Sequence, residues 1–146
     1  MNYYDRGLFK QALPLAEKSY SLAQELLDEK DQFNITIISN LASIYQKLGR
    51  FNEALTLFEK AYSLLKEDEP NQFTLLVINN LAGIYRMLAR LKEASTILEK
   101  IYPLTKTKLG EKHLQTITTL NNFATNDKLM DLVKMSGYVF LLRKKI

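Results

Sequence analysis

The sequence contains no cysteine and no tryptophan, and only one histidine, three prolines and five glycines among its 146 residues. The absence of cysteine excludes disulfide bonds and thiol chemistry, and one histidine without thiols does not make a typical zinc site. Because glycine and proline are the residues that most disfavour a helix, their scarcity favours a helical chain.

Motifs for catalysis and for membrane insertion are also missing. No glycine-rich phosphate-binding motif occurs, and the one histidine, His113, lies in a predicted turn, where no Ser/His/Asp triad is expected. No apolar run approaches the roughly 20 residues that span a bilayer, and the N-terminus lacks the layout of a signal peptide. We therefore expect a soluble, cytoplasmic protein that is not an enzyme and holds no metal or cofactor.

The net charge of +4 comes from one end of the chain. Residues 128–146 hold five basic residues and one aspartate, so residues 1–127 are neutral overall. A nucleic-acid interface spreads its basic side chains over a working face of the fold. A terminal cluster is more typical of a solvated tail, and nucleic-acid binding is not expected.

What the sequence does contain is a repeated segment. Residues 38–62 return 40 residues later as residues 78–102, with 14 of 25 positions identical. Residues 7–22 match residues 49–64 at 10 of 16 positions, and residues 120–124 repeat the opening of the second unit 42 residues on. A fixed period of this length indicates stacked supersecondary units rather than one closed globule.

Each unit has the spacing of two amphipathic helices joined by a short link. From Ile38 to Leu48 the apolar residues follow the i, i+3, i+4, i+7 rule of one helical face, and Gly49 follows as a helix stop. The polar stretch Lys66–Asn71 contains Pro70 and is predicted to link two units. The predicted helices cover residues 9–27, 34–48, 51–67, 73–89, 91–106 and 115–129.

Proline and glycine near the C-terminal end predict interruptions there. Pro103 is expected to kink or end the fifth helix. Two glycine-bearing stretches, Leu109–His113 and Ser136–Tyr138, are predicted to be turns.

The pattern N-L-A-x-I-Y-x-x-L-G-R-x-x-E-A-L resembles the tetratricopeptide repeat (TPR), with Tyr45, Gly49 and Ala54 at signature positions. The period of 40 to 42 residues is similar to that of the kinesin-light-chain subtype. Leu109–His113, followed by L-N-N, resembles that subtype's linker and helix start, and Ala12–Leu15 resembles its A-x-P-L segment. The resemblance covers about residues 3–125. It implies an all-α fold, a right-handed superhelical array of antiparallel helix pairs, or α-solenoid.

The same resemblance divides the chain into an array over residues 1–126 and a remainder over residues 127–146. The array consists of a half repeat (3–27), two repeats (34–67 and 73–106) and a partial repeat (115–126). The remainder is expected to be a divergent basic C-terminal tail or a capping helix. The departures from the family pattern are Ala89 in place of the turn glycine, Leu114 in place of the linker proline and Asp127 in place of tyrosine.

In the TPR family the first helix of each unit lines a concave groove, and the resemblance implies the same here. The predicted first helices carry a second, polar stripe with i, i+4, i+7 spacing, away from the apolar one. With the asparagines beside it, this stripe gives the candidates Ser39, Asn40, Ser43, Gln46, Asn79, Asn80, Gly83, Arg86, Asn121, Asn122, Thr125 and Lys128.

The chemistry of these side chains suits an extended peptide. An asparagine amide both donates to and accepts from a peptide backbone, and Arg86 or Lys128 suits a carboxylate. Two alternatives stay open: these polar residues are simply solvated, or Asn40 and Asn80 hydrogen-bond neighbouring helices instead. Tyr45 and Tyr85 are expected to be packing residues with their hydroxyls at the rim.

Two functions follow from these patterns. The first is a protein-interaction adapter or scaffold that binds a short, extended peptide, favouring an acidic one, in the groove. The alternative is a structural module that homo-oligomerises through uncapped ends of the array, or a fragment of a larger TPR protein. Leu8, Ala12 and Leu15 have no obvious cover on the first helix and are the candidate self-association residues. In either case the expected partner is a protein or peptide, with no membrane and no nucleic acid.

Overall fold

The computed structural model describes residues 3–65 and 71–144, and it is built from helices over these ranges. In chain order they are α1 (Tyr3–Leu26), α2 (Gln32–Lys47), α3 (Phe51–Leu64), α4 (Gln72–Met87), α5 (Leu91–Leu109) and α6 (Leu114–Lys144). The predicted link Lys66–Asn71 lies outside the described residues, apart from Asn71. Among the described helices, none combines the length and the apolar character that crossing a bilayer requires.

Side-chain caps set the starts of α2 and α4. The Asp31 Oδ1 atom accepts the amide of Phe33 at 2.8 Å, and the Asn71 Oδ1 atom accepts the amide of Thr74 at 2.9 Å. Each cap satisfies a first-turn amide that has no partner inside the helix. The two helices therefore begin at equivalent positions of the repeat.

Tight turns reverse the chain between α2 and α3 and between α4 and α5. At Gly49 φ is +78°, and the following amide, of Arg50, donates to the Tyr45 carbonyl at 2.8 Å. The second turn repeats this hydrogen bond at 2.7 Å, with Ala89 at φ +58°. An alanine in this left-handed region costs roughly 1–2 kcal/mol, which glycine avoids. Alanine in place of glycine therefore makes the second turn less favourable in free energy but leaves the geometry of the turn unchanged.

Each helix packs against the next one in the chain, and α4 also contacts α6. The core between the helices is continuous from α2 to α5 and includes several alanines. Fully buried members of this core include Ile38, Ala42, Ala54, Phe58, Ala82, Ala94 and Leu98. The stack is held together by neighbour-to-neighbour packing, as the sequence period predicts.

The first helix differs from its prediction. Gly7 aligns with Gly49, yet it lies inside the continuous helix α1, which begins at Tyr3 and not at residue 9. The turn at Gly49 is held by a full helix packed antiparallel on α3. A glycine inside a helix costs only about 0.5–1 kcal/mol relative to alanine, so Gly7 does not by itself end a helix. The backbone instead continues its own hydrogen bonds through Gly7.

The predicted turn at Ser136–Tyr138 is wrong, because α6 runs without interruption from Leu114 to Lys144. A glycine inside a helix costs only about 0.5–1 kcal/mol relative to alanine, so it does not by itself end one. Asp131 stands at the position of Gly49 and Ala89, and it is helical as well. The final segment therefore continues the last helix of the array as far as residue 144.

The predicted turn at Leu109–His113 is confirmed: α5 ends at Leu109, Gly110 has φ +91° and α6 begins at Leu114. Pro103 does not end α5, which continues for six residues beyond it. Pro103 is exposed, so its ring points to solvent, and the missing amide removes a single helical hydrogen bond.

Candidate functional site

The first helix of each unit presents a line of side chains that the rest of the fold does not bury. On α4 this line is Leu76, Asn80, Gly83 and Met87, at i, i+4, i+7 and i+11. The equivalent positions are Thr36, Asn40, Ser43 and Lys47 on α2, and Thr118, Asn122, Thr125 and Leu129 on α6. We call these three lines together the groove face.

Two of the predicted groove asparagines hold α4 against α6. The Asn122 Nδ2 atom donates to Asn79 Oδ1 at 3.0 Å, and Asn79 Nδ2 donates to Thr119 Oγ1 at 3.4 Å. Thr119 is fully buried, and its own hydroxyl donates to the Gln115 carbonyl at 2.8 Å. Among the predicted groove asparagines, Asn79 and Asn122 are therefore the ones that bond a neighbouring helix, and no such bond of Asn40 or Asn80 occurs within the described residues.

The two predicted serines of α2 bond back to their own helix. The Ser39 hydroxyl donates to the Ile35 carbonyl at 2.9 Å, and the Ser43 hydroxyl donates to the Ser39 carbonyl at 3.0 Å. Ser39 is only 7% exposed, so a ligand has little access to it. Ser43 is half-buried on the groove face, and its oxygen is still able to accept a hydrogen bond.

The remaining predicted residues keep their polar groups available. Within the described part of the chain, no hydrogen bond or ion pair joins the side chains of Asn40, Gln46, Asn80, Arg86, Asn121 or Lys128 to a partner. Arg86 is half-buried, and it follows Asn79 by seven residues, on the side of α4 that faces α6. A partly desolvated guanidinium without a counter-ion favours an anionic partner.

The rim tyrosines fasten helices together. Tyr45 is 9% exposed, its hydroxyl donates to Glu17 Oε1 at 2.8 Å, and the Arg50 guanidinium lies 4.6 Å from the ring centroid. Burial, followed by the hydrogen bond to Glu17, raises the pKa of Tyr45 to about 12. Burial also raises the pKa of Tyr85, with the Glu59 carboxylate as the next cause. The expectation that these tyrosines pack with their hydroxyls at the rim agrees with this geometry.

The sequence reasoning missed the apolar part of the groove face. Leu76 and Met87 are 55% and 57% exposed, on either side of Asn80 and Gly83. Leu76 and Met87 lie four residues before Asn80 and four residues after Gly83, which is helical spacing. This spacing could have predicted from the sequence that they share a face with Asn80 and Gly83.

A second open surface lies between α1 and α2 and is called here the end groove. Its lining residues are Ala12, Leu15, Ala16 and Ser19 of α1, with Ile37, Asn40 and Ile44 of α2. Leu15 is 72% exposed and Leu8, nearer the start of α1, is 47% exposed. Two of the three predicted self-association residues, Ala12 and Leu15, therefore lie in one groove.

The sequence matches models of a known protein family over most of its length. Two family models described as tetratricopeptide repeat match residues 1–67 and residues 74–115. The chain belongs to the tetratricopeptide repeat family. In TPR terms α2/α3 and α4/α5 are two complete repeats, α1 is a second helix and α6 is a first helix.

Solved structures with the same TPR-like fold include proteins of the kinesin light chain type. Nearly identical TPR-like repeats assigned to a kinesin light chain of Podosopora anserina align with a TM-score of 0.76 and 19% identity, covering 96% of this chain and 67% of that one. Another structure of these repeats gives 0.75 and 20%, with coverages of 94% and 66%. BtubC (BKLC) from P. vanneervenii gives 0.72 and 24%, with coverages of 84% and 49%.

These likenesses establish the fold, an all-α TPR-like array, and the chain spans about half of BtubC and about two thirds of the Podosopora repeats. A search of curated protein sequences finds no match. Within the residues described here, no group of three or more histidine or carboxylate side chains is placed to hold a metal ion.

Proposed function

We propose that this TPR array is an adapter that binds an extended, acidic peptide segment of a partner protein across α4 on the groove face. The proposal rests mainly on one observation: the Arg86 side chain is half-buried beside the groove face and has no counter-ion in the described part of the chain. TPR arrays are typically non-enzymatic scaffolds, so no catalytic role is assigned. A cytoplasmic location stays a prediction.

The middle of the groove face supplies the polar contacts. The Asn80 amide has no partner among the described residues and offers both a donor and an acceptor to a peptide main chain. Three residues on, a Cβ added at Gly83 would meet nothing within 4 Å, so a ligand backbone has room beside Asn80. Arg86 then grips a carboxylate of the peptide through two parallel hydrogen bonds.

The two end residues of the groove face on α4, Leu76 and Met87, supply apolar contacts. Leu76 and Met87 are more than half exposed, and covering them with ligand side chains removes apolar surface from water. Each polar contact contributes roughly 1 kcal/mol net, and a handful of such contacts with one apolar anchor gives about micromolar affinity. This affinity suits a reversible adapter.

The first test uses one double variant that removes the proposed polar contacts, together with a matched control. An array of immobilised peptides, each acidic sequence paired with its amide analogue, is probed with the chain and with the Asn80→Ala/Arg86→Ala variant. We expect the chain to retain acidic peptides and the variant to lose them. The control is Asn52→Ala/Lys18→Ala, which removes one amide and one cation at exposed positions on the second helices. Equal capture by the Asn80/Arg86 variant would overturn the proposal.

A second variant separates lost binding from lost folding. Gly83→Leu places a bulky side chain in the open space of the groove face, while it removes the helix-weakening effect of glycine. We expect peptide binding to weaken at least tenfold while the thermal midpoint stays equal or rises. Unchanged binding by this variant places the ligand elsewhere.

A further inference from the structure

Surfaces that are buried inside the array are open at its two ends. On α3, Ala54, Phe58 and Ala61 are 0% exposed and belong to the core that α3 shares with α2 and α4. The equivalent residues of α1 are Ala12, Ala16 and Ser19, which line the end groove. Ala12 and Ala16 are half-buried and Ser19 is exposed, so the described helices cover this face of α1 only in part.

The α2 side of the end groove shows the same difference in exposure between the end of the array and its interior. Val77 and Ile84 on α4 are 0% exposed, inside the continuous core. Their equivalents on α2 are Ile37 and Ile44, which are only half-buried and line the end groove. The end groove is therefore the place that a first helix occupies elsewhere in the array.

The helix α6 carries the matching surface. Ile38 and Ala42 of α2, which pack against α3, are 0% exposed. Their equivalents on α6 are Leu120, 44% exposed, and Ala124, also exposed. α6 is thus a first helix whose face for a second helix is uncovered.

We infer that α6 of one copy lies in the end groove of a second copy of this chain and completes a repeat there. One chain carries both an uncovered first helix and an uncovered second helix, which belong to the same helix pair. A second copy therefore offers a complementary surface at each end, with the residue spacing that the α2/α3 pair already uses. This junction is separate from the peptide contacts proposed for α4.

The asparagine pair between α4 and α6 predicts a polar contact at the junction. Asn122 donates to Asn79 across neighbouring first helices. The repeat makes Asn121 the equivalent of Asn79, and Asn40 the equivalent of Asn122. Both Asn121 and Asn40 are exposed, and their side chains are unpaired in the described part of the chain. Asn40 of one copy is therefore expected to donate to Asn121 of the next.

A junction between two different faces is head-to-tail. Repeating such a contact gives a closed ring of copies or an open chain of copies, depending on the rotation that relates one copy to the next. It does not stop at a symmetric dimer. The mass of the 146-residue chain should therefore rise steadily with concentration in sedimentation velocity or light scattering. A strict monomer at several hundred micromolar would overturn the inference.

Two blocked variants test the direction of pairing. Ser19→Glu places a charge in the end groove, and Ala124→Glu places one on the open face of α6. Both positions are exposed, so both variants are expected to fold, which circular dichroism checks. Each variant alone should be monomeric. A 1:1 mixture should give a dimer and nothing larger, because one intact end groove then meets one intact α6 face.

Thr96→Glu is the matched control, since this exposed residue of α5 belongs to neither surface, and this variant should assemble as the unmodified chain does. A mixture of the two blocked variants that stays monomeric would refute the inference. Assembly abolished by Ser19→Glu and unaffected by Ala124→Glu would also refute it, since it indicates a symmetric contact through α1. The groove residues Asn80, Gly83 and Arg86 are unchanged in all three variants, so peptide capture is scored separately.

Discussion

The Tyr45 hydroxyl donates to the Glu17 carboxylate at 2.8 Å and so joins α2 to α1 across 28 positions of sequence. The same two residue types lie close together one repeat later, where burial, followed by the Glu59 carboxylate, raises the pKa of Tyr85. Glu17 and Glu59 occupy equivalent positions, so the pair belongs to the repeat and not to one unit. The pair joins α2 to α1 and brings Glu59 of α3 beside Tyr85 of α4, whereas α6 has Asp127 at the position of the tyrosine.

Replacing Tyr45 with phenylalanine should lower the free energy of unfolding by about 1 kcal/mol, because one hydrogen bond to a carboxylate is lost while the ring is kept. Urea denaturation of Tyr45→Phe, Glu17→Ala and the double variant measures the coupling between them. We expect the double variant to lose less than the sum of the single losses, by about 0.5 kcal/mol or more. Purely additive losses would show that the contact contributes nothing in solution.

Stability should fall as the pH rises from about 10 to about 12, because the pKa of Tyr45 is raised in the folded chain. Over this range the unfolded chain has lost the tyrosine proton, whereas the folded chain still binds it, so alkali favours unfolding. Below pH 10 both states hold the proton, and the contribution is fully present. Urea midpoints at pH 9, 10 and 11 should decline less for Tyr45→Phe than for the unmodified chain. Parallel declines would contradict this assignment.

Replacing Ala89 with glycine should stabilise the fold by about 0.5–1 kcal/mol, because φ at this residue is +58° and glycine adopts this region without a steric penalty. The opposite change at the equivalent turn, Gly49→Ala, should destabilise by a similar amount. Ala124→Gly, in an exposed helix interior, should also destabilise and serves as the control for the general effect of glycine. A loss of stability on Ala89→Gly, measured by thermal or urea unfolding, would disprove the role of this turn.

Asn126→Ala should cost about 1–3 kcal/mol, since it removes a buried side chain that bonds two groups of α5. Its Nδ2 atom donates to the Leu91 carbonyl at 2.9 Å and to Ser95 Oγ at 2.7 Å. The neighbouring Thr125→Ala, at an exposed position, should change stability by no more than about 0.5 kcal/mol. A cost at Asn126 no larger than that at Thr125 would mean that α6 is not anchored to α5 in this way.

The sequence predicted the helical repeat because the signals are local. The apolar spacing and the helix stop at Gly49 each act within one or two turns of the chain. The length of α6 was not predictable in this way. Gly137 suggested a turn, whereas the turns at Gly49 and Ala89 depend on a returning helix that packs against the first.

Part of the candidate site was also predictable. The spacing of Asn80 and Arg86 placed both on the polar side of α4, and the structure leaves both side chains unpaired in the part it describes. Which asparagines pair was not predictable, because Asn79 and Asn122 are separated by 43 positions and meet only when the units stack. The exposure of Leu76 and Met87 likewise depends on where the neighbouring helices lie.

By itself, the sequence of this protein determined a stack of antiparallel helix pairs, because helix period, caps and turns are properties of short segments. Only the tertiary structure decided which side chains remain available to a partner. It buried Ser39 and paired Asn79 with Asn122, and among the described residues it left Arg86 unpaired and the end groove open. Burial and pairing depend on the distance between helices, and that distance is fixed by packing across many turns rather than by any local signal.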